Sequence, residues 1–92
     1  MPGLLSKKVV IQNKRGLHAR AAAKVTSLAA QFDAEIFVLH GDKKVSALSL
    51  MGLLILTAHQ GAEIEFQAFG KESHFALSAL SKLVNARFDE EN

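Results

Sequence analysis

The sequence predicts an α+β fold, a two-layer open-faced sandwich in which helices cover one side of a sheet. Three observations predict it. Ala62 to Phe69 alternates cleanly, with Ile64, Phe66 and Ala68 pointing one way and Glu63, Glu65 and Gln67 the other. A strand with one wet face implies an antiparallel sheet. Ala19–Gln31 and Glu72–Arg87 carry apolar residues at helical spacing. The full order reads βαββαβα, with no repeat or linker, as expected for one domain spanning residues 1–92.

The first strand is Lys7 to Gln12, rich in β-branched residues at Val9, Val10 and Ile11. Asn13-Lys14-Arg15-Gly16 is a turn in which Gly16 is free to take positive φ. The first helix buries Ala22, Val25, Leu28, Ala29 and Phe32. Glu35 to Leu39 is the second strand, with Ile36 and Val38 on one face. The turn His40-Gly41-Asp42-Lys43 joins it to a short strand at Lys44–Ala47, forming a hairpin. Leu50 to Ala58 is apolar almost throughout. Ser49 is a suitable N-cap and Leu and Met favour helix, so this segment reads as a short, largely buried helix stopping near Gln60-Gly61. The last helix buries Ala76, Ala79, Leu80, Leu83 and Val84, and Asp89-Glu90-Glu91-Asn92 reads as a frayed polar tail.

Composition narrows the function classes. Hydrophobic residues make up 49% of the chain, enough for a packed core. Cysteine is absent, which leaves no disulfide framework and no thiolate metal site. His40, His59 and His74 lack metal-ligand spacing, so no metal and no cofactor are expected. The longest apolar stretch falls far short of the roughly 20 residues of a membrane span. Near the start the lysines follow the short apolar piece, the reverse of a signal peptide. A cytoplasmic monomer is the expectation, with no membrane partner.

Charge is unevenly spread. Met1–Lys44 holds eight basic and three acidic residues, whereas Val45–Asn92 holds three basic and six acidic. The basic half favours the approach of an acidic partner or a phosphate. A nucleic-acid or anion-binding module is one reading of that half. The chain has no Tyr or Trp, and Phe32, Phe37, Phe66 and Phe69 read as core residues, so stacking platforms are lacking and no nucleic-acid partner is expected.

The densest chemistry lies in Gly16-Leu17-His18-Ala19-Arg20-Ala21-Ala22-Ala23-Lys24. A histidine stands where a turn becomes a helix, and an arginine follows two residues on. Backbone N–H groups of Ala19 and Arg20 at the helix start are unpaired donors for a phosphate, and the Arg20 guanidinium adds a permanent planar cation. A neutral imidazole is a competent nucleophile near neutral pH, because its unperturbed pKa is about 6.5. It can carry a phosphoryl group as a phosphoramidate. No carboxylate lies close in sequence to position a water, as suits a carrier. A histidine that merely caps the helix or packs there is the alternative, and these residues alone leave it open.

Asn13-Lys14-Arg15-Gly16-Leu17-His18-Ala19-Arg20-Ala21-Ala22 resembles the active-site signature of the histidine phosphocarrier family HPr, Gly-Leu-His-x-Arg-Pro-Ala. The resemblance extends over about Lys7 to Glu90. Ser46-Ala47-Leu48-Ser49-Leu50-Met51-Gly52 is similar to a second family stretch. Phe32-Asp33-Ala34-Glu35-Ile36 and Asn85-Ala86-Arg87-Phe88-Asp89-Glu90-Glu91 look most like the nitrogen-related branch, NPr. The resemblance implies a sheet ordered β1-β4-β2-β3 with three helices on one face. It implies phosphorylation of His18 on Nδ1 by an enzyme I-type protein using phosphoenolpyruvate, support of the phosphoryl group by Arg20, and transfer to an EIIA-type acceptor. That is a carrier rather than a turnover enzyme. Service to the sugar-transport branch, and a binding regulator switched by phosphorylation, are the alternatives.

The resemblance also singles out residues around this centre. Leu50, Met51 and Leu54 match a partner-docking patch, with core packing as the bland reading and Leu54 nearer to core. Ser49 matches a serine phosphorylated in some relatives, yet serves equally as a helix N-cap, and Leu48 replaces the lysine common before it. Ala21 stands where the family has proline. Alanine keeps the helix and restores one N–H, so a slightly less rigid helix start is expected.

Overall fold

Strand β4 (Glu63–Phe69) lies inside the sheet, paired antiparallel with β1 (Leu5–Val10) on one side and β2 (Glu35–His40) on the other. The computed structural model describes residues 3–91. Met1, Pro2 and Asn92, which belong to the signal-peptide and frayed-tail readings, lie outside the described residues. Strand β3 (Lys43–Ser46) pairs antiparallel with β2 and completes the order β1-β4-β2-β3. The expected sheet and its order are therefore observed.

The alternation in β4 decides which face is covered. Ile64, Phe66 and Ala68 are buried with Ile36 and Val38 of β2, while Glu63 and Phe69 at the strand ends are exposed. Helices α1 (Ala19–Ala29), α2 (Leu50–Ile55) and α3 (Ser73–Asn85) close over the buried face. From α1 come Ala21, Ala22, Val25 and Ala29, and from α3 come Ala76, Leu77, Leu80 and Val84. Small residues at 21 and 22 let the start of α1 sit close against its neighbours, which fixes the position of the turn before it.

Three expectations need correction. Helix α2 is not largely buried: Leu50, Met51 and Ile55 are exposed and Leu53 alone is fully buried within it. The helix ends at Ile55 because Thr57 adopts a left-handed conformation, φ 49°, which breaks the helical path. Phe69 is exposed and Phe37 half-buried; their rings stack 6.5 Å apart on the open side of the sheet, with Lys44 Nζ 4.6 Å from the Phe37 ring. The third correction concerns the end of the described chain. Arg87–Asp89 form a short turn with left-handed backbone, and Phe88 is fully buried in the core. The segment is docked, not frayed, because a large apolar side chain loses about 1.5–3 kcal/mol if left in water.

Candidate functional site

The turn before α1 is closed by Gly16 N–H donating to the Asn13 carbonyl at 3.2 Å. Gly16 has φ 67°, and a Cβ there would stand 2.6 Å from the Ala58 carbonyl oxygen. Only glycine fits. Leu17 follows, buried, with its N–H on the Ala58 carbonyl at 2.9 Å. These contacts fasten the turn to the loop after α2 and set the direction of the next residue.

That residue is His18, the N-cap of α1, in extended conformation at φ −80° and ψ −179°. Its carbonyl accepts from Ala22 N–H at 2.8 Å, the first intrahelical bond. Its side chain does not cap the helix. The N–H groups of Ala19, Arg20 and Ala21 therefore occupy the turn that has no intrahelical acceptors. No acidic residue lies in that turn, so the positive end of the helix dipole is not offset from within α1.

The imidazole is half-buried, and its Nε2 is hydrogen bonded to Glu90 Oε2. Glu90 Oε1 accepts from Asn13 Nδ2 at 3.0 Å. Asn13 is fully buried and its Nδ2 also donates to the Gly16 carbonyl at 2.8 Å. Both neighbours of that amide nitrogen are acceptors, which fixes the orientation of the amide and leaves Asn13 Oδ1 without a partner. Partial burial pushes the Glu90 carboxyl up. The hydrogen bonds from Asn13 and His18 and the charges of His18 and Arg15 outweigh this and hold it below its ordinary value.

Beside this cluster lies an open cleft of about 440 Å³ lined by Lys14, Arg15, Arg20, Lys24, Asp89, Glu90 and Glu91. Arg20 is exposed on it, two residues after His18. His18 lines a different cleft, so the expected histidine and arginine stand at the same helix start without a contact between their side chains. A smaller cleft of about 260 Å³ brings Leu54, Thr57 and His59 to the other side of His18. Leu50 and Met51 are exposed, whereas Leu54 is half-buried and packs on the core. Ser49 Oγ accepts from Gly52 N–H at 2.9 Å, the N-cap geometry expected of it. Ala21 is buried at the third position of α1. His40 Nδ1–H donates to the Leu56 carbonyl at 2.9 Å, a structural bond. Among the described residues no cluster of metal-binding side chains is present, and no helix is long and apolar enough to cross a membrane.

Sequence reasoning missed Glu90, Asn13, Lys24 and Phe88. No carboxylate lies near His18 along the chain, and the fold supplies one from 72 residues away. The available signal was Phe88, a large apolar residue set among charges, which must find a core and must take its acidic neighbours with it.

The family profile described as PTS HPr component phosphorylation site matches residues 5–86. The phosphocarrier protein NPr of Shewanella violacea is 49% identical over 94% of this chain and 94% of its own length. The phosphocarrier protein HPr of Neisseria meningitidis is 41% identical over 95% of this chain and 98% of its own. Among solved structures, HPr-C-His from Thermoanaerobacter tengcongensis superposes with a TM-score of 0.91 at 38% identity, covering 96% of this chain and 99% of that one.

Proposed function

The chain belongs to the HPr family of phosphotransferase-system phosphocarriers, and from that premise we propose that it accepts a phosphoryl group on His18 Nδ1 and hands it to an acceptor protein. Members of this family are carriers that relay a group, not turnover enzymes. One observation carries the assignment to Nδ1. Glu90 presents a carboxylate oxygen to Nε2, where it accepts from the ring N–H, so in the neutral imidazole Nε2 carries the proton and Nδ1 the lone pair.

The surroundings support the rest. Unpaired N–H groups at the start of α1 and the exposed Arg20 guanidinium offer neutral and charged donors to phosphoryl oxygens. Leu50 and Met51 expose an apolar edge, and Leu54 flanks His18; together they form the proposed docking patch. The donor is an enzyme I-type protein charged by phosphoenolpyruvate, and the acceptor an EIIA-type protein, meeting in the cytoplasm. The 49% identical relative named NPr supports the nitrogen-regulatory branch over sugar transport. Ser49 in this reading is a helix cap first, and a phosphate placed on it would add negative charge beside the docking patch.

Incubation with phosphoenolpyruvate and an enzyme I-type protein tests the proposal. An acid-labile, base-stable phosphate is expected on the wild-type chain and absent from His18→Ala. Labelling that survives that substitution defeats the assignment. Transfer from the labelled protein to a nitrogen-type EIIA, and not to a sugar-type one, is expected for the branch.

A further inference from the structure

Residues 87–90 lie beyond the family match, which ends at Ala86. They also contain the least ordinary backbone among the described residues. Arg87, Phe88 and Asp89 stand in succession at φ 59°, 52° and 65°, and none is glycine. Each is disfavoured because its Cβ crowds the following carbonyl. Such a run persists only where its surroundings over-determine it. Phe88 is fully buried, and Lys24 Nζ donates to its carbonyl at 2.6 Å. Asp89 N–H meets the Ala86 carbonyl at 3.0 Å, and Glu90 N–H meets the Arg87 carbonyl at 2.9 Å. The segment turns back at Glu90, whose two carboxylate oxygens reach Asn13 and His18.

We propose that this left-handed turn is a positioning element for the phosphoryl acceptor, holding Glu90 over His18 Nε2 so that Nδ1 is the nitrogen that bonds to phosphorus. The proposal rests on the carrier reading of His18. Glu90 is a positioning residue: it acts through the imidazole, while the phosphoryl group meets Nδ1 and the helix start. The step balances without a base. The Nδ1 lone pair forms the N–P bond, the bond from phosphorus to the donor breaks, and the leaving group takes that electron pair. The ring keeps its Nε2 proton and becomes a cation, which the Glu90 carboxylate faces. Glu90 thereby both covers the competing nitrogen and offsets the charge that forms.

Potassium phosphoramidate tests this without any partner protein. Its P–N bond breaks, ammonia leaves, and phosphorus passes to an imidazole nitrogen, which phosphorus and nitrogen NMR identify as Nδ1 or Nε2. Wild-type protein is expected to label at His18 Nδ1. In Glu90→Ala the ratio of Nδ1 to Nε2 product should fall about tenfold or more, as when an outer partner that orients a reactive histidine is removed. Phe88→Leu keeps an apolar anchor and should stay near wild type, whereas Phe88→Ala should behave as Glu90→Ala if it folds; if it does not, Glu90→Ala decides. Wild-type labelling mainly at Nε2, or an unchanged ratio in a folded Glu90→Ala, overturns the positioning role. Loss of the carrier reading shows separately, as enzyme I-dependent labelling that persists in His18→Ala.

Discussion

Lys24 Nζ donates to the carbonyl of Phe88 at 2.6 Å, joining the second turn of α1 to a segment 64 residues further along the chain. The same ammonium lies 3.8 Å from Asp89, whose side chain is largely exposed. The carbonyl contact is the stronger of the two, since an exposed ion pair contributes little. Lys24→Met keeps the aliphatic stem and removes the donor. It should lower stability by about 1 kcal/mol. Amide exchange at Glu90 should quicken more than exchange in the sheet, as measured by NMR. Equal quickening in both would mean that the lysine does not hold this segment in particular.

Glu90 adds a pH dependence whose sign follows from its environment. Its folded-state carboxyl lies below its ordinary value of 4.5. The stability it contributes is therefore complete above that value and lost as pH falls through the folded-state value. The difference in stability between wild type and Glu90→Gln should shrink as pH falls below 4.5. Denaturant titrations of both proteins across that window give the curve. A gap that widens on acidification would contradict the assigned shift.

Gly16 admits no side chain. A Cβ 2.6 Å from the Ala58 carbonyl forces the turn away from the loop after α2, and φ 67° is itself unfavourable for alanine. Gly16→Ala should cost about 2 kcal/mol or more. Because the displaced turn leads directly into His18, labelling should slow further than the loss of folded protein explains. Thermal melts paired with labelling rates separate the two effects.

Ser49→Ala removes the acceptor for Gly52 N–H and should destabilise by about 1 kcal/mol. Its labelling by an enzyme I-type protein should persist, since the cap lies in α2 and not at the start of α1. Ser49→Asp keeps an N-cap acceptor and should regain most of the stability. It should nonetheless weaken partner binding in a titration, because it adds charge beside Leu50 and Met51. Binding unchanged by that charge would place the docking patch elsewhere.

The fold was legible where one physical signal dominated. The alternation of Ile64, Phe66 and Ala68 marked a strand with one wet face, and the helical spacing of Val25 and Ala29 marked a covering helix. Legibility failed where local preference yielded to distant packing. Leu50, Met51 and Ile55 look like core by type, but six helical residues cannot bury every face against one sheet. Phe69 alternates onto the open side of β4, so its periodicity contradicted its composition. At the site, the Gly16–Arg20 stretch disclosed the histidine and its donors. The carboxylate did not appear, because nothing local to Glu90 indicates a left-handed run at Arg87–Asp89.

The contact between residues 18 and 90 also ties the centre to the integrity of the fold. The turn carrying His18 is held by the loop after α2, whereas Glu90 reaches it across 72 residues of chain and depends on the packing of β4 and α3 between them. A chain whose long-range packing is loosened can thus display the histidine while lacking the group that holds it. Folded and partly folded molecules then differ at the reactive nitrogen itself, which ties the state of the centre to the state of the whole domain.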